Sequence, residues 1–362
     1  MIAEVRSVRV WPTPGPHPCG LAWDGSALWY SDGDTHRVSR LDPRTGDVLQ
    51  EHQLDATQHS VRTGLAYRDG MLYQVAGRPK SLVRIDPATG AAEGLRPLGE
   101  DVCGIDGRGP VLYLLRKRLG ILEAQEWGSG VVLGTWPSTA TPGGLTLVGG
   151  QCVWADVQSG AIRVLDGDGR EASTAPQVVG GQPTGLAWGA GRLFVNDYEN
   201  RQIRVFAWPE RATPTFPAVD SGVMRIDARE TVWTRTELAA ALAPSLFHPT
   251  DADLDTLLDE YYGWPHALYA LAEAGAIQGV VGVDLRDPGL VEISHLAVEA
   301  SCRGQGRGRR LVETIQRAVA PRVCWLTTDE DAVGFYRRLG FVVHSLGERY
   351  PGRERFLAVS SQ

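Results

Sequence analysis

Lysine is nearly missing from this 362-residue chain: Lys80 and Lys117 stand alone, and arginine carries the rest of the positive charge. The balance is still acidic, with a net charge of −7 and a pI of about 5.7, which excludes the basic footprint of a nucleic-acid-binding protein. Cysteine is sparse and scattered. Cys19, Cys103, Cys152, Cys302 and Cys324 form no CxxC pair and no Cys/His ligand spacing, so neither a disulfide framework nor a metal site is expected. Unpaired thiols fit a reducing compartment. No apolar run is long enough to span a bilayer, and the opening MIAEVRSVRVWPTPG lacks a signal-peptide core. A cytoplasmic protein without membrane or nucleic-acid partners is the expectation.

Turn chemistry, in contrast, is plentiful. The chain has 43 glycines and 22 prolines, which points to many short strands. A hydrophobic share of 43% and a charged share of 22% belong to a globular protein, and the length suits two domains.

The first 210 residues repeat. A Gly-hydrophobic pair recurs at Gly20-Leu21, Gly64-Leu65, Gly104-Ile105, Gly144-Leu145 and Gly185-Leu186, spaced 44, 40, 40 and 41 residues apart. An aromatic follows in each unit: Trp29, Tyr73, Tyr113, Trp154 and Phe194. Each unit reads as four short antiparallel strands, and a four-stranded sheet repeating every 40 or so residues is a propeller blade. The fifth unit lacks its own fourth strand after Trp208-Pro209, and the alternating segment Glu4–Trp11 is expected to supply it and close the ring. We expect five blades, six being the competing count. This half resembles the bacterial propellers that include streptogramin lyase, gluconolactonase-like and glutaminyl cyclase-like proteins. The resemblance rests on blade rhythm, so it implies architecture alone. One rim of such a ring would carry His17, Asp32, Asp34, His36, Gln74, Arg78, Asp101, Arg116, Asp156, Asn196 and Asp197. They form either a surface for a ligand or protein partner or simply the polar loops that water reaches.

Prolines and the loss of periodicity after Trp208 mark a boundary, giving a propeller over 1–210, a linker over 211–222 and a second domain over 223–362. The second domain is mixed α/β. Strands are expected at Val223–Ala228, Ala267–Glu273, Ile277–Asp284, Leu290–Val298, Val323–Thr328, Phe341–Ser345 and Arg355–Val359. Helices are expected at Thr236–Leu242, Asp251–Tyr262, Gly306–Val319 and Asp331–Leu339. Thr250 followed by Asp253 resembles a capping box.

The informative stretch is VEISHLAVEASCRGQGRGRRLVETIQRAV, residues 291–319, where an apolar strand meets a glycine-rich turn and an amphipathic helix starts at once. Such a turn, with the unsatisfied N–H groups of the helix start, suits a pyrophosphate. Arg303, Arg307 and Arg309 can add charge. A dinucleotide fingerprint is excluded because Arg309 stands where a third glycine belongs, and no GK pair exists for a P-loop. What does match is Arg-x-x-Gly-x-Gly at Arg303, Gly306 and Gly308, preceded by Leu296-Ala297-Val298. These residues resemble the coenzyme A signature of the GNAT superfamily of N-acetyltransferases. DAVGFYRRLGF, residues 331–341, resembles that family's helix after its fifth strand. Asp329 departs from the asparagine that many members carry.

The resemblance implies direct transfer of an acetyl group from acetyl-CoA to an amine, within a two-domain protein that joins an all-β propeller to an α/β acyltransferase fold. Arg303, Gly304, Gln305, Gly306, Arg307, Gly308 and Arg309 would hold the pyrophosphate, and the main chain of Leu296 and Val298 the pantetheine arm. Tyr336 is implied as general acid, or else as a packing aromatic. Glu292 is the candidate base, with His295 as substitute if a bulge turns it. Without a bulge, alternation puts Glu292, Ser294, Leu296 and Val298 on one face. Cys302 is read as structural. Tyr261–His266, with Asp251, Asp253, Asp255, Asp259 and Glu260 before it, is either an acidic aromatic pocket for a cationic amine or a solvated helix face. The propeller is then a recruitment or ligand-binding module. The alternative makes it the catalytic part, as a lyase, lactonase or cyclase, beside a regulatory or degenerate acetyl-CoA-binding domain.

Overall fold

The computed structural model describes residues 7–55, 62–139, 141–148, 151–165, 177–178, 181–208, 222–227, 231–263, 265–273, 275–287 and 289–361. The chain divides into two compact units, Met1–Arg211 and Ala212–Gln362. The segment expected as a linker, apart from Gly222, lies outside the described residues, as does Ala228. No helix among the described residues is long and apolar enough to cross a membrane.

The first unit is a five-bladed propeller. Blade 1 runs from its inner strand Pro18–Trp23 through Leu28–Asp32 and Arg37–Leu41 to the outer strand Val48–Gln53. The inner strands of blades 2 to 5 are Leu65–Arg68, Val102–Arg108, Pro142–Val148 and Pro183–Gly189. Blade 5 takes its fourth strand from the other end of the chain: Ser7–Pro12 pairs antiparallel with Gln202–Ala207. The ring closes as expected, with residues 4–6 of the expected strand outside the described residues, and no open edge is left where the ring joins.

Ring geometry explains the repeated glycine. A Cβ on Gly20 would lie 2.6 Å from the Leu65 amide nitrogen, and one on Gly64 2.6 Å from that of Ile105. Gly104 would meet the Gly143 oxygen at 2.7 Å, Gly144 the Leu186 nitrogen at 2.4 Å, and Gly185 the Cys19 oxygen at 2.6 Å. Each inner strand therefore touches the next along bare backbone, and the last touches the first. Apolar side chains fill the wedges between blades, such as Trp29, Leu65, Leu72 and Ile85 between blades 1 and 2. One aromatic marker is displaced. Trp154 pairs with Leu145, as Tyr30 does with Leu21, whereas Trp29, Tyr73, Tyr113 and Phe194 pair with Ala22, Ala66, Asp106 and Ala187. Trp154 thus faces the opposite side of its sheet.

In the second unit the elements are β1 (Val223–Arg225), α1 (Arg235–Leu242), α2 (Asp251–Tyr261), β2 (His266–Glu273), β3 (Ala276–Asp287) and β4 (Leu290–Val298). They continue with α3 (Arg307–Val319), β5 (Val323–Asp329), α4 (Glu330–Arg338), β6 (Val342–Tyr350) and β7 (Arg353–Ser361). One sheet holds all seven strands in the order β1-β2-β3-β4-β5-β7-β6, antiparallel except for β4 beside β5. Val281, Val291, Ile293, Leu311, Val312 and Ile315 form a core under α3 and α4. Leu238, Leu242, Leu254, Leu258, Leu268 and Val280 form one under α1 and α2 on the other face. The capping box at Thr250 and Asp253 is reciprocal, and Thr234 with Glu237 builds a second one at α1. The last two strands run longer than expected because their outer halves are polar and exposed, which reads in sequence as loop.

Candidate active site

Strands β4 and β5 pair in parallel only over Leu290–Glu292 and Val323–Trp325. Beyond Glu292 no residue pair joins them, although β4 continues to Val298 and β5 to Asp329. The strands part there, and the edge of β4 facing β5 has main-chain groups without a ladder partner. Glu292 is the last residue before the fork.

A bulge lies just past it. Gly282 pairs with His295 and Val283 with Ile293, so Ser294 is the extra residue on β4. The bulge resets the alternation. Val291 and Ile293 face the α3/α4 core, and so does Leu296, while Ala297 joins the α1/α2 core. Glu292 and His295 therefore share the α2 face, and the grouping of Glu292 with Leu296 expected from simple alternation does not occur. Tyr261, the last residue of α2, has its hydroxyl 2.5 Å from His295 Nδ1. That hydroxyl presses on Gly282, where a Cβ would lie 1.9 Å from it. Burial, then the negative charges of Glu292 and Glu260, push the Tyr261 hydroxyl far above its usual range. Burial, then the charge of His266, pushes His295 down to about 4, so it is neutral near pH 7.

His266 opens a second cluster that sequence reading missed. It pairs across strands with Asp284, whose Oδ2 lies 3.4 Å from His266 Nε2 and 2.7 Å from Arg286 Nη2. Burial pushes the Asp284 carboxyl up, but the hydrogen bonds from His266 and the Arg286 amide and the Arg286 charge outweigh it and hold the group below its usual range. Three of the acids before Tyr261 are engaged elsewhere. Asp253 caps α2, while Asp255 and Asp259 pair with Arg235 at 2.6 and 2.9 Å.

Past the end of β4, Gly304 and Gly306 take φ of +74° and +78°, the left-handed region that only glycine enters freely. Helix α3 starts from Gly306 with no side-chain cap and no acidic residue in its first turn, so the N–H groups of Arg307, Gly308 and Arg309 have no helical acceptor. Gly308 packs on Phe335 and Val298. The polar side chains of the turn bind the protein itself. Arg303 Nε donates to the Val298 carbonyl at 3.1 Å, and Gln305 to the Ser301 carbonyl at 2.9 Å. Arg307 pairs with Glu273 at 2.8 Å, and Arg309 with Glu313 at 3.3 Å.

Tyr336 on α4 sits in the α3/α4 core with Phe335 and Phe341 edge-on at 4.9 and 5.6 Å. Burial, then the nearby Cys324, pushes its hydroxyl well above the usual range. Among the described residues that hydroxyl has no hydrogen-bond partner. Asp329 ends β5 and pairs with Arg355.

Among the described residues, several charged groups of the propeller rim are taken up by the protein itself, whereas the buried Asn196 side chain has no hydrogen-bond partner. Asp32 accepts from the amides of His17, Asp34 and Thr35, Asp156 from those of Gln158 and Ser159, and Asp197 from those of Gln182 and Asn200. These aspartates hold their own turns. Arg116 is bound between Asp101 and Glu123.

A seven-stranded sheet that parts between its only parallel strands (among the described residues), with a glycine turn at the end of one and a helix after the other, defines the acyltransferase architecture expected above. Residues 265–343 match the family model described as the acetyltransferase (GNAT) domain. The second unit therefore carries a GNAT domain, in one chain with a five-bladed propeller. No curated protein matches the chain. Among solved structures it is similar to glutaminyl cyclase from Myxococcus xanthus, at 16% identity over 56% of this chain and 95% of that one, with a TM-score of 0.46. It is also similar to an aminoglycoside 6'-N-acetyltransferase complexed with coenzyme A, at 17% identity over 38% of this chain and 96% of that one, TM-score 0.35. A streptogramin B lyase is similar at 17% identity over 54% and 66% of the two chains, TM-score 0.36.

Proposed function

We propose that the second unit transfers the acetyl group of acetyl-CoA to an amine, and that the propeller is a recruitment or ligand-binding module. The observation that carries the reading is the parting of β4 from β5 directly after Glu292, with the glycine turn at the far end of β4. The residues fit the cofactor. An uncapped helix start next to two left-handed glycines presents main-chain N–H groups and partial positive charge to a pyrophosphate. Arg303, Arg307 and Arg309 each make bonds to the protein and still keep guanidinium donors for phosphate, so they add charge-assisted bonds to what the main chain holds. When bound, acetyl-CoA supplies an acetyl group activated as a thioester.

The chain's own residues then handle protons. The amine arrives as an ammonium, and the Glu292 carboxylate at the fork takes its proton. His295, fixed through Nδ1 by Tyr261, orients the acceptor from the same face. The deprotonated amine would attack the thioester carbon as the C–S bond breaks, with the Tyr336 hydroxyl giving its proton to the departing sulfur and taking back the one that the acylated nitrogen releases. Unpaired N–H groups of β4 between Glu292 and Val298 hold the thioester oxygen. The test is steady-state kinetics on an amine panel with Glu292→Gln and Tyr336→Phe. Each is expected to lower kcat by about 10²–10⁴-fold while acetyl-CoA affinity stays within a factor of a few. A Glu292→Gln enzyme as fast as the parent, with the pH–rate profile moved only by His295→Ala, would transfer the base role to His295.

A further inference from the structure

The inner strands of three blades repeat Gly-Leu-Ala: Gly20-Leu21-Ala22, Gly64-Leu65-Ala66 and Gly185-Leu186-Ala187. Ala22, Ala66 and Ala187 are buried between blades. Two neighbouring blades break the rule at that position, with Asp106 and Thr146. A ring of near-identical units that places a carboxylate and a hydroxyl where its own packing calls for a methyl group has departed from its local logic, and such departures mark functional sites.

The two side chains bind each other. Thr146 Oγ1 donates to Asp106 Oδ2 at 3.1 Å, and the Leu147 amide donates to the same oxygen at 2.8 Å. Among the described residues, Oδ1 accepts only the Gly107 amide, at 2.7 Å, so it keeps capacity for another donor. Beside the pair lies a cavity of about 210 Å³, lined by all five inner strands at the end where they finish, opposite to the rim. Trp23, Tyr67 and Trp188 are its aromatic walls, and Arg108 flanks the carboxylate. The volume is below the roughly 300–1,000 Å³ of drug-sized pockets and suits a molecule on the order of ten non-hydrogen atoms.

Charge selects the ligand. Burial pushes the Asp106 carboxyl up to about 6, against the hydrogen bonds from Gly107, Leu147 and Thr146 and the positive charge of Arg108. At neutral pH the cavity thus offers a desolvated carboxylate among aromatic faces, which suits an ammonium through a charge-assisted hydrogen bond and cation–π attraction. Arg108 suits a carboxylate on the same molecule. We propose that this end of the propeller channel binds a small amino-acid-like zwitterion, its ammonium on Asp106 between the aromatic rings and its carboxylate on Arg108. The site stands apart from the acetyltransferase reading, and neither depends on the other.

The test is calorimetric titration of the full chain with each of the twenty common L-amino acids. Any binder is then compared with its decarboxylated amine and its deaminated acid. At least one amino acid is expected to bind with a Kd below about 1 mM. The matching amine should bind more weakly and the deaminated acid not at all. Asp106→Asn should weaken binding at least tenfold, and Arg108→Gln should reduce the amino acid to the affinity of its amine. The carboxylate is the binding form and protonates as pH falls, while the ligand's α-ammonium and α-carboxylate, histidine's side chain aside, set charges that stay fixed from pH 5 to 8. Binding by the native chain should therefore weaken as pH drops below about 6. No binding by any amino acid, a deaminated acid that binds as well as its parent, or affinity indifferent to Asp106→Asn would each overturn the proposal. Should Asp106→Asn fail to fold, a flat pH profile of the native chain between 5 and 7 overturns it as well.

Discussion

His295 shows how a single side chain responds to its place in the fold. Its folded pKa of about 4 lies below the 6.5 of the free group, so as pH falls the unfolded chain takes up the proton first. The His295 contribution is intact above pH 6.5 and is lost as pH drops toward 4. We expect urea denaturation to show the native chain losing more stability between pH 7 and pH 5 than His295→Gln does. Equal losses would mean that His295 is solvated and its contact with Tyr261 incidental. Some of this site was legible in the sequence. Glu292, Tyr336 and the glycines could be named because the stretches around them resemble a family's motifs, and the structure places Glu292 at the fork and the glycines before α3. Tyr261, His266, Asp284 and Arg286 were not assembled, because strand register and one bulge bring them together and neither is written locally. Asp106 and Thr146 were visible as breaks in the repeat, but only after the repeat is aligned on its glycines.

At the scale of elements, the propeller depends on five inner strands approaching without side chains between them. Gly144→Ala would place a methyl carbon 2.4 Å from the Leu186 nitrogen and 2.6 Å from Gly185 backbone atoms, with nothing flexible to give way. We expect it to destabilise the propeller by about 1–3 kcal/mol or more. Gly94→Ala, on the outer strand Ala92–Pro97 with open space around it, should be close to neutral. Chemical denaturation of the two variants makes the comparison, and equal effects would contradict the ring account. The period of the repeat gave away the blades because the glycine constraint recurs in each. The displaced Trp154 and the long β6–β7 hairpin escaped for opposite reasons: one aromatic fills either face of a blade, and exposed strand ends carry polar residues that pattern like loops.

At the scale of the whole molecule, each unit has its own closed set of strands and its own cores. We expect chains cut near Val219 to give two soluble halves with cooperative unfolding transitions, checked by calorimetry. If the propeller recruits substrate, separation should raise the KM for the native acceptor and leave activity on a small generic amine unchanged. The claim on which the functional account turns is that the glycine turn before α3 holds acetyl-CoA, and calorimetric titration of the full chain with that compound tests it most directly. The account predicts one site per chain, lost in Gly306→Asp, where no neighbour lies within 4 Å of the new β-carbon but the new residue must hold the left-handed φ of +78° and brings negative charge to the helix start. A native chain that fails to bind acetyl-CoA, or a Gly306→Asp chain that binds it equally well, would contradict it.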